Sequence, residues 1–149
     1  YMCMDSTIPR KRLADILRAI AEMERKYQLR CCNVFHAGDG NLHPLILFDA
    51  QDPDQLRRCE LFGADILETS VAMGGTVTGE HGVGVEKLNS MCVQFSPAER
   101  EAMLALKTAF DPAGLLNPGK VIPTLHRCAE YGRLHVRRGL LPFPELERF

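Results

Sequence analysis

The chain is short of net charge: 18 Lys and Arg against 19 Asp and Glu leave −1 over 149 residues. No basic field of the kind that draws a protein to nucleic acid or an anionic membrane follows from that balance. Nor is there an apolar run near the roughly 20 residues needed to span a bilayer, which argues against a transmembrane segment. The opening residues Tyr1-Met2-Cys3-Met4-Asp5 lack the basic-then-apolar order of a secretory signal, and position 1 is not Met, so an upstream part of the protein is expected. The six cysteines form no C-x-x-C pair, and Cys31-Cys32 are too close in sequence for an ordinary disulfide. Reduced thiols in a cytoplasmic protein are therefore expected, rather than an iron–sulfur or zinc-ribbon framework.

What remains is a soluble-type composition, 46% hydrophobic and 25% charged, with clear periodicity. Residues 2–7 read as a short strand. Pro9 opens a helix, and Leu13, Ile16, Leu17, Ile20 and Met23 recur at helical spacing up to Tyr27. Residues 30–37 and 42–49 read as a β-hairpin closed by Gly38-Asp39-Gly40-Asn41. A second helix begins at Asp52-Pro53-Asp54 and ends at Gly74-Gly75, and Thr76-Val77-Thr78 makes a last short strand. The order strand, helix, strand, strand, helix, strand predicts an α+β, ferredoxin-like split βαβ domain, an antiparallel sheet with both helices on one face. Ser96-Pro97-Ala98-Glu99 is a capping-box sequence for a third helix ending near Phe110, followed by the turn-rich Gly114-Leu115-Leu116-Asn117-Pro118-Gly119-Lys120. The chain then divides into a ferredoxin-like portion (1–95), a helix with its turn (96–123) and a basic tail (124–149).

Chemistry concentrates in two places. With a loop at 38–41, His36 stands opposite His43, and opposed residues share a face with Cβ atoms about 4.5–5.5 Å apart. Such a pair serves equally as two ordinary hydrogen-bonding histidines or as two ligands of one divalent metal. Glu80 lies in Gly79-Glu80-His81-Gly82-Val83-Gly84, where glycines let the backbone come close to a ligand. Added to His36 and His43 it completes a 2-His-1-carboxylate set with open positions. His81 beside it is then free to act as a base near neutral pH. A phosphate loop is disfavoured, because G-x-x-x-x-G-K-[ST] is absent and Glu80 would repel the anion.

Three segments together, His36-Ala37-Gly38-Asp39-Gly40-Asn41-Leu42-His43-Pro44, the run from Gly74 to Gly84, and Asn117-Pro118-Gly119-Lys120, resemble the C-terminal domain of FAD-linked oxidases. This is the vanillyl-alcohol-oxidase type superfamily, in its branch of D-lactate dehydrogenases and glycolate oxidase D subunits. The resemblance implies a divalent metal (Zn, Mn or Fe) on His36, His43 and Glu80, and His81 as base for the substrate hydroxyl. It places Asn41 near the substrate and Asn117 beside the flavin ring of FAD. The implied reaction is oxidation of a small 2-hydroxy acid, glycolate or D-lactate, by hydride transfer to flavin. A 2-hydroxyglutarate-type dehydrogenase and a non-catalytic metal-binding module are the alternatives. The resemblance also implies a missing upstream FAD-binding domain, a flavin-binding and an iron–sulfur partner subunit, and leaves peripheral attachment to the inner membrane through those partners open. Ser6 stands where the family pattern has glycine. Because the chain has no glycine-rich diphosphate cradle, by itself it is expected to be inactive and to bind FAD weakly or not at all. Submicromolar binding of FAD to this chain in a fluorescence titration would place the cofactor site here instead.

Overall fold

The structure is a computed structural model and describes residues 1–123; the basic tail expected at 124–149 lies outside the described residues. Two compact units divide the chain, residues 1–83 and residues from Gly84 onward.

In the first unit the N-terminal strand is broken in two, β1 (Met2–Cys3) and β2 (Ser6–Thr7). Both pair antiparallel with β4 (Asn41–Leu47) in one continuous register, Met2 with Ile46 and Ser6 with Leu42. The interruption falls at Met4-Asp5. On its other side β4 pairs with β3 (Arg30–His36), and Thr76 joins the free side of Thr7 through an isolated bridge. The spatial order is thus the Thr76 segment, β1/β2, β4 and β3, the ferredoxin-like arrangement. A single 3₁₀ turn at Arg10–Arg12 leads into α1 (Leu13–Tyr27), which together with α2 (Pro53–Ala72) packs on the sheet. Asp52 caps α2 by accepting from the amides of Asp54 and Gln55, satisfying two donors that the first helical turn leaves unpaired. Gly74, with φ 88°, reverses the chain after it.

Alternation along β4 sorts the two faces. Leu42, Pro44 and Ile46 are fully or nearly buried in one layer of the core, in a unit whose helices bury Ile16, Ile20, Phe62 and Ile66. Asn41 and His43 therefore point to the opposite face. Tyr27 stacks on Phe62 at a centroid distance of 5.4 Å and donates its hydroxyl to Asp65, which ties the two helices together.

The hairpin register differs from expectation. The loop is 37–40 and Asn41 belongs to β4, so His36 faces Asn41 and His43 faces Val34. Asn41 has the composition of a turn, but its backbone pairs with both Thr7 and His36, and two ladders outweigh a local turn preference. Gly40 closes the loop at φ 76° with its carbonyl accepting from Ile8; a Cβ there would lie 2.2 Å from the Ile8 oxygen. The expected strand at 76–78 is reduced to the single bridge at Thr76. The Thr76 hydroxyl turns back to the Thr78 carbonyl (2.7 Å), and the amides that follow are drawn to Asp5.

The second unit holds α3 (Leu88–Gln94), which the sequence pattern does not announce, and the expected α4 (Pro97–Phe110). Helix α3 has no side-chain cap at its N-terminus, so the usual start signal is missing; its buried Leu88 and Met91 hold it. Helix α4 carries the full capping box, Ser96 and Glu99 bonding each other's backbone amides. Among the cysteines, Cys3, Cys31, Cys32 and Cys59 are not disulfide-bonded. Burial pushes Cys31 up to about 12 and Cys59 to about 11, which makes them inert at neutral pH. Cys92 is disulfide-bonded, so the all-reduced expectation does not hold there.

After α4 the Asp111 carboxylate accepts the amides of Leu115 (3.0 Å) and Leu116 (2.8 Å) and pairs with Lys107. The Lys107 contact and these amides hold its carboxyl down at about 2, below the ordinary 3.8. A depressed carboxyl favours the fold above its unfolded value and loses that contribution as pH falls through its folded value. Asp111→Asn is expected to lower the urea midpoint at neutral pH and to flatten its fall between pH 3.8 and 2; parallel pH profiles for the two proteins would contradict this.

Candidate functional site

The site grows from the sheet face turned away from the helices. His36 ends β3 and His43 sits mid-β4. The register change slides their pairing by two residues, which preserves parity, so both still point to one face as diagonal neighbours. Diagonal pairs lie roughly 7–8 Å apart by backbone, within reach of long side chains, and the rings meet edge-on with centroids 5.3 Å apart.

The loop after Thr78 brings the third group. Glu80 Oε1 lies 2.7 Å from His43 Nε2 and 3.6 Å from His36 Nε2. Asn41 donates its Nδ2 to the same oxygen at 3.2 Å. His81 does not point away from Glu80, as neighbours in an extended strand would. Its ring stacks on His43 at 4.8 Å, with Nε2 4.0 Å from Glu80 Oε1. The cause is a curl of backbone around Asp5: the amides of Gly79 (2.8 Å), Glu80 (3.2 Å) and His81 (3.1 Å) all donate to its Oδ2. The Thr78 hydroxyl donates to that oxygen too (2.6 Å) and accepts from the Gly82 amide (2.9 Å). Successive amides aimed at one anion form a nest.

His36, Glu80 and His81 are exposed, whereas His43 and Asn41 are buried at 9% and Asp5 entirely. The face is thus a buried floor with three exposed groups above it. The donor set fits a divalent cation on two counts. Ligands about 2.0–2.1 Å from a common metal stand about 3 Å or more apart, and His36, His43 and Glu80 offer atoms within 4.8 Å of one another. His43 Nδ1 is buried without a hydrogen bond, with Asp5 Oδ1 at 3.8 Å; a metal-bound imidazole characteristically turns its other nitrogen toward a carboxylate.

Four of the predicted residues, His36, His43, Glu80 and Asn41, gather with His81 in the first unit. Asn117 belongs to the second unit, in a left-handed conformation at φ 46° with its Oδ1 3.4 Å from Lys120 Nζ. The sequence reading passed over Asp5 and Cys3. Cys3 lies with His43 and His81 in a second possible donor group. An acidic residue inside a strand paired on both sides was the available signal for Asp5, since such a charge is not buried without partners.

Residues 1–121 match the family described as FAD linked oxidases, C-terminal domain. The chain belongs to this family. Within the FAD-linked oxidase relatives, it is 60% identical over its whole length to the glycolate oxidase subunit GlcD of Escherichia coli K12, spanning 30% of that protein. It is 35% identical over 85% of its length to the mitochondrial D-lactate dehydrogenase [cytochrome] of Arabidopsis thaliana, spanning 22% of it. A D-2-hydroxyglutarate dehydrogenase of Stutzerimonas stutzeri is 44% identical over 58% of the chain, which spans 19% of that protein. The chain therefore spans under a third of the length of the curated relatives it matches. No helix among the described residues is long and apolar enough to cross a membrane.

Gly79 is where loop and hairpin come closest: a Cβ on it would stand 2.1 Å from Asn41 Oδ1 and 2.6 Å from its Cγ. Gly79→Ala is expected to cost about 1–3 kcal/mol by overpacking. In an Asn41→Ala background that cost should shrink, because the obstructing amide is gone. A double-mutant cycle in urea reads the coupling, and strictly additive effects would show that the contact is not what requires glycine.

Proposed function

We propose that this chain is the substrate-side portion of an FAD-dependent 2-hydroxy-acid dehydrogenase, and that His36, His43 and Glu80 hold a divalent metal (Zn, Mn or Fe). The observation that carries the reading is the convergence of two imidazole nitrogens and one carboxylate oxygen on a single exposed spot, with His81 beside it. Glycolate or D-lactate is the substrate class that the E. coli and Arabidopsis relatives support. A D-2-hydroxyglutarate-type substrate is the second reading, supported by the Stutzerimonas relative over a smaller part of the chain.

When bound, the metal supplies positive charge that acidifies the α-hydroxyl, and FAD in the rest of the intact protein supplies the hydride acceptor. The chain's own residues do the remainder. His43, on the buried floor, sets one donor position firmly. His36 and Glu80, at the exposed rim, close around the substrate side. Asn41 flanks the substrate and steers Glu80 through its Nδ2. His81 Nε2 takes the hydroxyl proton, and the exposure of its ring lets that proton pass on to water. Asn117, at the turn after α4, is assigned to the flavin side. The name of the E. coli relative, a subunit, supports assembly with partner chains; that these are a flavin-binding and an iron–sulfur subunit, and that they attach a cytoplasmic enzyme peripherally to the inner membrane, is what the family resemblance implies.

In the intact enzyme, His81→Ala is expected to lower kcat by about 10²–10⁴-fold while metal and flavin contents stay unchanged. His36→Ala is instead expected to lose metal, by elemental analysis, together with activity. Near-normal kcat in His81→Ala protein that keeps metal and flavin would remove His81 as the base. Full activity in demonstrably metal-free enzyme would remove the metal.

A further inference from the structure

Asp5 is fully buried and lies between the two parts of the site. Its Oδ2 gathers the Thr78 hydroxyl and the amides of residues 79–81, the segment that carries Glu80 and His81. Its Oδ1 faces His43 Nδ1 at 3.8 Å, and that nitrogen is buried and makes no hydrogen bond. Asp5 occupies the break between β1 and β2, beside the point where Pro44 of β4 has no N–H to give, although the Met4 amide still donates to the Pro44 carbonyl at 3.1 Å. The continuous register with β4 sets Asp5 beside His43, and its carboxylate reaches the loop as well.

We infer that Asp5 is the positioning residue of the site: one buried carboxylate fixes the curl that aims Glu80 and His81, and holds the His43 ring so that Nε2 presents its lone pair. The inference rests on the metal reading above and goes beyond it, since Asp5 touches neither metal nor substrate. The sign of the electrostatics supports it. A negative group facing Nδ1 favours the tautomer with the proton on that nitrogen, which leaves Nε2 able to coordinate. A neutral amide at the same place cannot serve both sides. If its oxygen receives the three loop amides, its NH₂ faces Nδ1 and favours the opposite tautomer, with the proton on Nε2. If it turns over, the loop loses its acceptor.

The test compares Asp5→Asn with Phe62→Leu in the intact protein. Phe62 is wholly buried in α2, on the helix side of the sheet, and so reports general loss of stability. Zinc affinity is measured by competition with a chromogenic chelator at temperatures equally far below each variant's Tm. Hydrogen exchange of the peptide spanning 76–83 is followed in parallel. Asp5→Asn is expected to weaken zinc binding by about 10–100-fold and to speed exchange of that peptide, while Phe62→Leu at matched stability does neither. Wild-type zinc affinity in Asp5→Asn, or an equal loss in Phe62→Leu, overturns the assignment of Asp5 and leaves the metal reading standing if His36→Ala still loses zinc. Wild-type zinc affinity in both His36→Ala and His43→Ala overturns the metal reading itself, and the role of Asp5 toward the metal falls with it.

Discussion

A carboxylate sealed from water needs compensation from every direction, and Asp5 receives it from a hydroxyl and three consecutive amides of the loop after Thr78. An ion in a poorly polarisable interior is costly unless hydrogen bonds replace its hydration. The loop is therefore held not by its own glycines but by the charge it wraps. From this follow the direction of Glu80, the stacking of His81 on His43, and the close approach of Gly79 to Asn41.

The same constraint explains one irregularity of the sheet, and a proline in β4 explains another. The N-terminal strand breaks at Met4-Asp5, although β1 and β2 keep one register with β4. The strand at 76–78 stops after one bridge. The second departure puts backbone donors where the anion needs them, and the ladder bonds lost are replaced by charge-assisted ones, which are stronger individually; the first falls opposite Pro44, which has no N–H to give, while the Met4 amide still donates to the Pro44 carbonyl. The site thus sits where the sheet pairs least regularly, on a face whose opposite side is the well-packed layer of Leu42, Ile46, Phe62 and Ile66.

Helices α1, α2 and α4 were legible because their signals are local: periodic apolar residues, Asp52 and Ser96 as caps, Gly74 as a stop. Helix α3 was not, since it has no cap and is held by burial, a tertiary property. The hairpin was legible as a hairpin but not in register. Asn41 has a turn-former's chemistry, and only its pairing with Thr7, 34 residues away in sequence, places it in the strand. The two-residue slip kept His36 and His43 on one face because side chains alternate with period two.

Residue types and spacing alone determined the ferredoxin-like order of elements, the family, and the five polar residues His36, Asn41, His43, Glu80 and His81 as a group, because each rests on a motif read within a few positions. Tertiary structure decided how they meet. That His43 is floor and His36 rim, that Glu80 and His81 turn to the same side, and that Asp5 stands beneath them all depend on contacts between segments some 40 to 75 residues apart. Such contacts arise from which chain ends a sheet brings together, and a linear pattern carries no record of that.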